Sequence, residues 1–198
     1  MGVEKRMADR CNTIRLYSFQ TDVVYQVLKR DGVCYSKEEY VRKKYKESAK
    51  VFINAYGWFV KEAQHIVPKP EGAEYPYWAF TDLYNVDHTG DGHVLTLDVP
   101  IGEAILFDMF DWTKIMQMHY IGENESEEAT FSEKLKNMGM NEFQIMTSNF
   151  YPEQKARIQE SWKRLFGHQQ AIEAGDNSGV HSVQAGLWCI KDEWIVKE

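Results

Sequence analysis

The chain has 198 residues, 43% of them apolar and 14% aromatic, and carries 23 Lys and Arg against 30 Asp and Glu. That length and apolar content suit one domain with a packed, aromatic-rich core and exclude wholesale disorder. The net charge of −7 excludes a general nucleic-acid binder, which needs a basic face.

In chain order, residues 1–12 read as a flexible basic tail. "TIRLYSFQ" (13–20) alternates as a strand, with Ile14, Leu16 and Ser18 on one side and Arg15, Tyr17 and Phe19 on the other. Thr21 or Asp22 can cap a short helix that Gly32 stops. Ser36 and Glu39 have capping-box spacing, so a long helix or a helix pair is expected to about residue 65. Its core face would be Val51, Phe52, Tyr56, Phe59, Val60 and Ala63. The first 50 residues hold 12 basic and 7 acidic side chains, against 11 and 23 in the rest. The basic excess centres on a 37–50 helix with Arg42, Lys43 and Lys44, which reads as a solvated face or as a docking patch for RNA or an acidic partner. Pro68, Pro70 and Pro76 end the helical region.

"YPYWAF" is extended and aromatic, and "HVLTLDVP" sets Val94, Thr96 and Asp98 against Leu95, Leu97 and Val99. "GEAILFDMF" is a further apolar stretch, after which Asp111 is expected to cap a helix. An acidic loop then leads to a helix with Glu127 and Glu128 near its start and Lys134 and Lys136 near its end. Pro152 opens another, with Ile158, Trp162, Leu165 and Phe166 on one face. "VQAGLWCIKDEWIVKE" closes the chain as a strand or hairpin. The predicted fold is one α+β domain over 13–198. A mixed or antiparallel sheet, continuous or split, from 13–20, 75–84, 93–108 and 183–196 packs against helices, with a helical insertion at about 112–166.

"DHTGDGH" (87–93) looks most like chemistry. Asp87, Thr89, Asp91 and Asp98 fall at positions one, three, five and twelve of an EF-hand loop, with Gly92 at six. That motif needs flanking helices, whereas both flanks here are extended. A tight turn explains the same residues, because glycines supply left-handed backbone. His88 and His93 lack a third ligand, so no metal is expected. Cys11, Cys34 and Cys189 are far apart and form no CxxC pair. With no secretory segment and no apolar run long enough to cross a bilayer, the chain reads as a reduced, cytoplasmic protein without membrane contact. There is no P-loop, GxGxxG, GxSxG or HExxH. Asp108 and Asp111 read as helix-capping acids rather than a glycosidase dyad.

"LYSFQ", "YPYWAF", "VLTLDVPIGEAILFDMFDW", "ESWKRLFG" and "VQAGLWCIKDEWI" resemble the bacterial and phage family called domain of unknown function 3841. The order of elements also resembles the split sheet of the ADP-ribosyltransferases. That second resemblance implies an NAD or nucleotide cleft between the first and last strands, so that the segments near Leu16 and Leu187 lie side by side. Arg15 or Tyr17 would face NAD, Gln20 would line the cleft, and Tyr77 and Trp78 would wall the nicotinamide. Gln184 would stand where that superfamily carries Glu. A carboxylate stabilises the positive charge that builds on the ribose as nicotinamide leaves, while an amide only hydrogen-bonds. The substitution implies a slow transferase, a glutamate from elsewhere, or a nucleotide pocket without transfer; alternatively Gln184 is an exposed residue opening an edge strand. The other class of function is a non-catalytic protein-interaction or regulatory module.

Overall fold

The computed structural model describes residues 12–45 and 49–197, apart from the side chains of 43–45 and 49–51. Residues 1–11 of the predicted 1–12 tail and the side chains of Lys43, Lys44 and Val51 lie outside the described residues.

β1 (Thr13–Gln20) buries Leu16, Ser18 and Gln20, every second residue. α1 (Asp22–Asp31) ends at Gly32, whose φ of 76° lets its amide donate back to the Leu28 carbonyl. β2 (Val33–Tyr35) follows. The expected Ser36–Glu39 capping box does not form. Ser36 bridges Tyr75 as a strand residue, and the Glu38 amide donates to the Glu74 carboxylate instead. α2 (Glu38–Tyr45) and α3 (Ala49–Ala63) are the helix pair, and α3 buries Tyr56, Phe59 and Ala63 as its spacing predicts. β3 (Tyr77–Phe80), β4 (His93–Pro100) and β5 (Ala104–Asp108) complete the middle of the chain, with a 3-10 turn at Ile101–Glu103 dividing the last two.

α4 (Met109–Met116) is capped by Asp108, which accepts from the Phe110 amide. Asp111, predicted as the cap, sits inside the first turn because the strand ends three residues sooner. α5 (Glu125–Asn137), α6 (Glu142–Thr147) and α7 (Pro152–Ser161) form the helical insertion. α5 keeps acids in its first turn and lysines in its last. A 3-10 stretch (Trp162–His168) and α8 (Gln169–Glu173) lead back to β6 (Val183–Leu187) and β7 (Cys189–Lys191). The fold is α+β.

The five-stranded sheet has the order β4-β1-β3-β6-β5, and β2 pairs with β7 in a separate two-stranded sheet. Every pairing is antiparallel. β3 lies between β1 and β6, so the segments near Leu16 and Leu187 are not side by side, contrary to the expected cleft between first and last strands. Alternation fixes which face a side chain takes; it is silent about which strand comes next. Three residues join β4 to β5, which are opposite edges. Four peptide steps span at most ~14 Å, whereas four flat strand spacings span ~19 Å, so the sheet curls.

One face buries Leu16, Ala79, Leu97, Leu106 and Ala185 beneath Leu28 of α1, with Ile172 and Trp194. On the other, Ile105, Phe107 and Trp78 meet Phe59, Trp112 and Trp162. Both edges are closed. The Leu106 amide donates to Gln169 Oε1 (2.5 Å), and Gln169 Nε2 donates to the Ala104 carbonyl (3.1 Å), so one side chain stands in for a strand along β5. Along β4, the Val196 amide donates to the Thr96 carbonyl at 2.9 Å.

β3 and β4 flank β1 and run in the same direction, so residues 81–92 must cross over β1. The crossing lies on the face of Trp78. Asn85 Nδ2 donates to Ser182 Oγ (2.7 Å), and Gly92 packs so closely on the Phe19 ring and Gln20 carbonyl that a Cβ there would meet the latter at 2.4 Å. Val86, within this strap, is buried.

Candidate functional site

The strand registers set five residues in one line across the sheet. Tyr17 faces Thr96 on one side and Phe80 on the other; Phe80 faces Gln184, and Gln184 faces Phe107. Residues two apart on a strand share a face, so Arg15 and Trp78 join Tyr17 and Gln184 on it. Four of the six candidate residues are thus brought to one face, under the border between the 81–92 strap and the α3–α4 aromatic wall.

Gln20 and Tyr77 fall on the opposite face, a correction to their expected place beside the others. Gln20 Nε2 donates to Ser18 Oγ (2.8 Å), which donates to the Trp78 carbonyl (2.7 Å) and so stitches β1 to β3, whose ladder has Tyr17–Phe80 as its register pair. Tyr77 Oη donates to Cys34 Sγ at 3.1 Å. Burial, with Cys34 beside it, raises that phenol far above its ordinary range, as suits a core residue rather than a ligand wall.

The four on the shared face differ in what they can do. Arg15 is exposed, and its guanidinium is held by both Asp98 oxygens, at 2.5 and 3.0 Å. Trp78 Nε1 donates to Tyr56 Oη (2.9 Å), and its ring lies 4.8 Å from that of Trp112, so it belongs to the wall. Tyr17 and Phe80 are half-buried and neighbouring, and form an aromatic floor. Gln184 is 3% exposed and sits in an interior strand, not opening an edge. Its side chain has no hydrogen-bond partner among the described residues, yet no fully enclosed side-chain nitrogen or oxygen among them lacks one. Its amide therefore meets solvent at the bottom of the face. A polar side chain at 3% exposure that only water satisfies is a candidate contact for a ligand.

A shallow groove of about 530 Å³ touches Arg15, Tyr17, Tyr25, His93, Thr96 and Val196. Trp78 and Gln184 lie outside it; Tyr17 belongs to both. "DHTGDGH" is not a tight turn between paired strands but the end of the crossing over β1: Asp87 Oδ1 accepts from the Thr89 amide (3.1 Å) and hydroxyl (2.7 Å), and Gly90 takes a φ of 112°. His93 pairs with Asp22 (2.7 Å) and stacks on Tyr25.

Sequence reasoning missed two features near Gln184. Ser182, two residues earlier and just before β6, accepts from Asn85 Nδ2 at 2.7 Å. Asp108, buried, accepts from the amide and ring Nδ1 of His181, both at 2.9 Å, while His181 stays 77% exposed. Burial pushes the Asp108 carboxyl up, but the His181 and Phe110 amides and the His181 ring outweigh it and hold it below the ordinary range. The capping role of Asp108 was legible; its partner lies 73 residues away, beyond any local pattern.

No described helix is long and apolar enough to cross a membrane. No curated protein and no solved structure matches the chain, so the resemblance to ADP-ribosyltransferases rests on the sequence alone. The family model described as Domain of unknown function (DUF3841) matches residues 15–196, and the chain belongs to that family.

Proposed function

We propose that this protein binds a nucleotide, NAD foremost, by its base and ribose against the Tyr17–Phe80 floor, with Gln184 as the polar anchor. The observation that carries the reading is the Gln184 amide, buried to 3% exposure without a partner among the described residues and in register with two aromatic side chains. Transfer chemistry is slow or absent in this reading. An amide in place of a carboxylate forgoes an aimed charge worth about 2.7–4 kcal/mol, or 10²–10³ in rate. Calorimetry with NAD tests it: the wild type binds, and Gln184→Ala, checked to be folded at the assay temperature, weakens binding about tenfold, one lost buried hydrogen bond. No heat at millimolar NAD would end the proposal.

The second reading, a non-catalytic interaction module, draws on apolar side chains left exposed on the insertion. Phe150 is 73% exposed, and Tyr151 beside it holds a φ of 63°, strained for a tyrosine. Absence of nucleotide binding would pass the assignment to this reading.

A further inference from the structure

The charged groups near Gln184 among the described residues are already matched to one another. Ser182, just before β6, is two residues from Gln184, about 7 Å along extended chain. Asn85 donates to Ser182 and keeps its own carbonyl oxygen free to accept. Arg15 has both contacts on Asp98. Lys114 lies between Glu128 (2.7 Å) and Asp111 (3.4 Å). His181 is tied to Asp108. A diphosphate would thus enter a protein of net charge −7 without an unmatched cation beside the Gln184 row among the described residues.

We infer that the site recognises the uncharged ring-and-ribose part of its ligand, a nucleoside rather than a nucleotide phosphate. This rests on the reading of the Gln184 face as a nucleotide site. The ring lies on Tyr17 and Phe80, and the Gln184 amide, Ser182 hydroxyl and Asn85 carbonyl meet ribose hydroxyls or an amide edge. Phosphates project into solvent and add nothing to affinity. Aromatic contact and neutral hydrogen bonds are little affected by ionic strength, whereas a phosphate clamp is screened by it.

The test compares pairs that differ by one phosphate: adenosine with AMP, and nicotinamide riboside with nicotinamide mononucleotide. Calorimetry is run at about 50 and about 500 mM NaCl, across which the Debye length falls severalfold. In whichever pair binds, the two members should agree within about fivefold, under one unit of 1.4 kcal/mol, at both salt concentrations. Ser182→Ala should weaken the nucleoside about tenfold, as loss of one buried hydrogen bond implies; Asn85→Ala serves if that variant folds poorly. A phosphorylated member binding more tightly than that margin, or an affinity that drops with salt, overturns the inference and leaves the nucleotide reading standing. NAD binding with none of the four pieces detectable also overturns it. If neither NAD nor any piece binds, both proposals fall together.

Discussion

A single hydrogen atom at Gly186 sets how closely the helical layer approaches the sheet. Glycine weakens a strand interior, so its presence in β6 marks a close contact. An alanine Cβ there would lie 2.9 Å from Phe59 Cζ and 3.2 Å from Cε1. Phe59 has no room to withdraw: it is fully buried and meets Trp78, Trp112 and Phe107 edge-on at 5.1, 5.3 and 5.6 Å. Gly186→Ala should therefore destabilise the protein by about 1–3 kcal/mol, the usual result of overpacking. The melting temperature should fall by roughly 2–4 °C per kcal/mol for a chain of this size. An unchanged melting curve would mean that the Phe59 ring turns aside freely. The sequence offered Gly186 only as part of "VQAGLW", and nothing local says that a phenylalanine from 127 positions earlier presses on it.

At the scale of elements, what was legible depended on how many faces each one buries. β1 and β4 bury one face, and their alternation predicted both spans and the sides of Leu16, Leu95 and Leu97. β5 and β6 are buried at every position and carry no period, so their places at the edge and next to it could not be read from the pattern. α1, with its glycine stop, and α7, with its proline start, were legible because caps are local chemistry. The edge role of Gln169 was not legible, since an interior glutamine looks like any surface one. Gln169→Ala should leave the Leu106 amide and Ala104 carbonyl without partners, at roughly 1–3 kcal/mol each. Hydrogen exchange at the Leu106 amide should accelerate in that variant while that of Leu16, mid-sheet in β1, keeps its protection relative to global unfolding. Equal acceleration at both would show that Gln169 acts on global stability and not as a substitute strand.

For the whole molecule, the sequence named six candidate residues, of which Arg15, Tyr17, Trp78 and Gln184 share a face and Gln20 and Tyr77 do not, while strand order and the crossing strap, which decide what lies around them, are products of long-range pairing. The same long-range packing sets the response to pH through two acids three residues apart. For Asp108, burial works against ionisation, but the amides of His181 and Phe110 and the His181 ring outweigh it, and the carboxyl titrates below its ordinary value. For Asp111, burial dominates and Asp108 adds to it; Lys114 only partly offsets them, so its carboxyl titrates above. An unfolded aspartate titrates near ~3.9. The stability that Asp108 contributes is present above that pH and is lost as pH falls through its lower folded value. Asp111 works in the reverse sense. The fold retains its proton after the unfolded chain has released it, so stability declines as pH rises from about 3.9 through the raised folded value. Urea unfolding of the wild type, Asp108→Asn and Asp111→Asn from about pH 2 to 7 separates the two across these carboxylate ranges. Relative to the wild type, Asp108→Asn should lose ground as pH rises through the lower window, and Asp111→Asn should gain ground as pH rises through the upper one. Profiles that run parallel to the wild type for both variants would mean that neither carboxyl changes its affinity for the proton on folding.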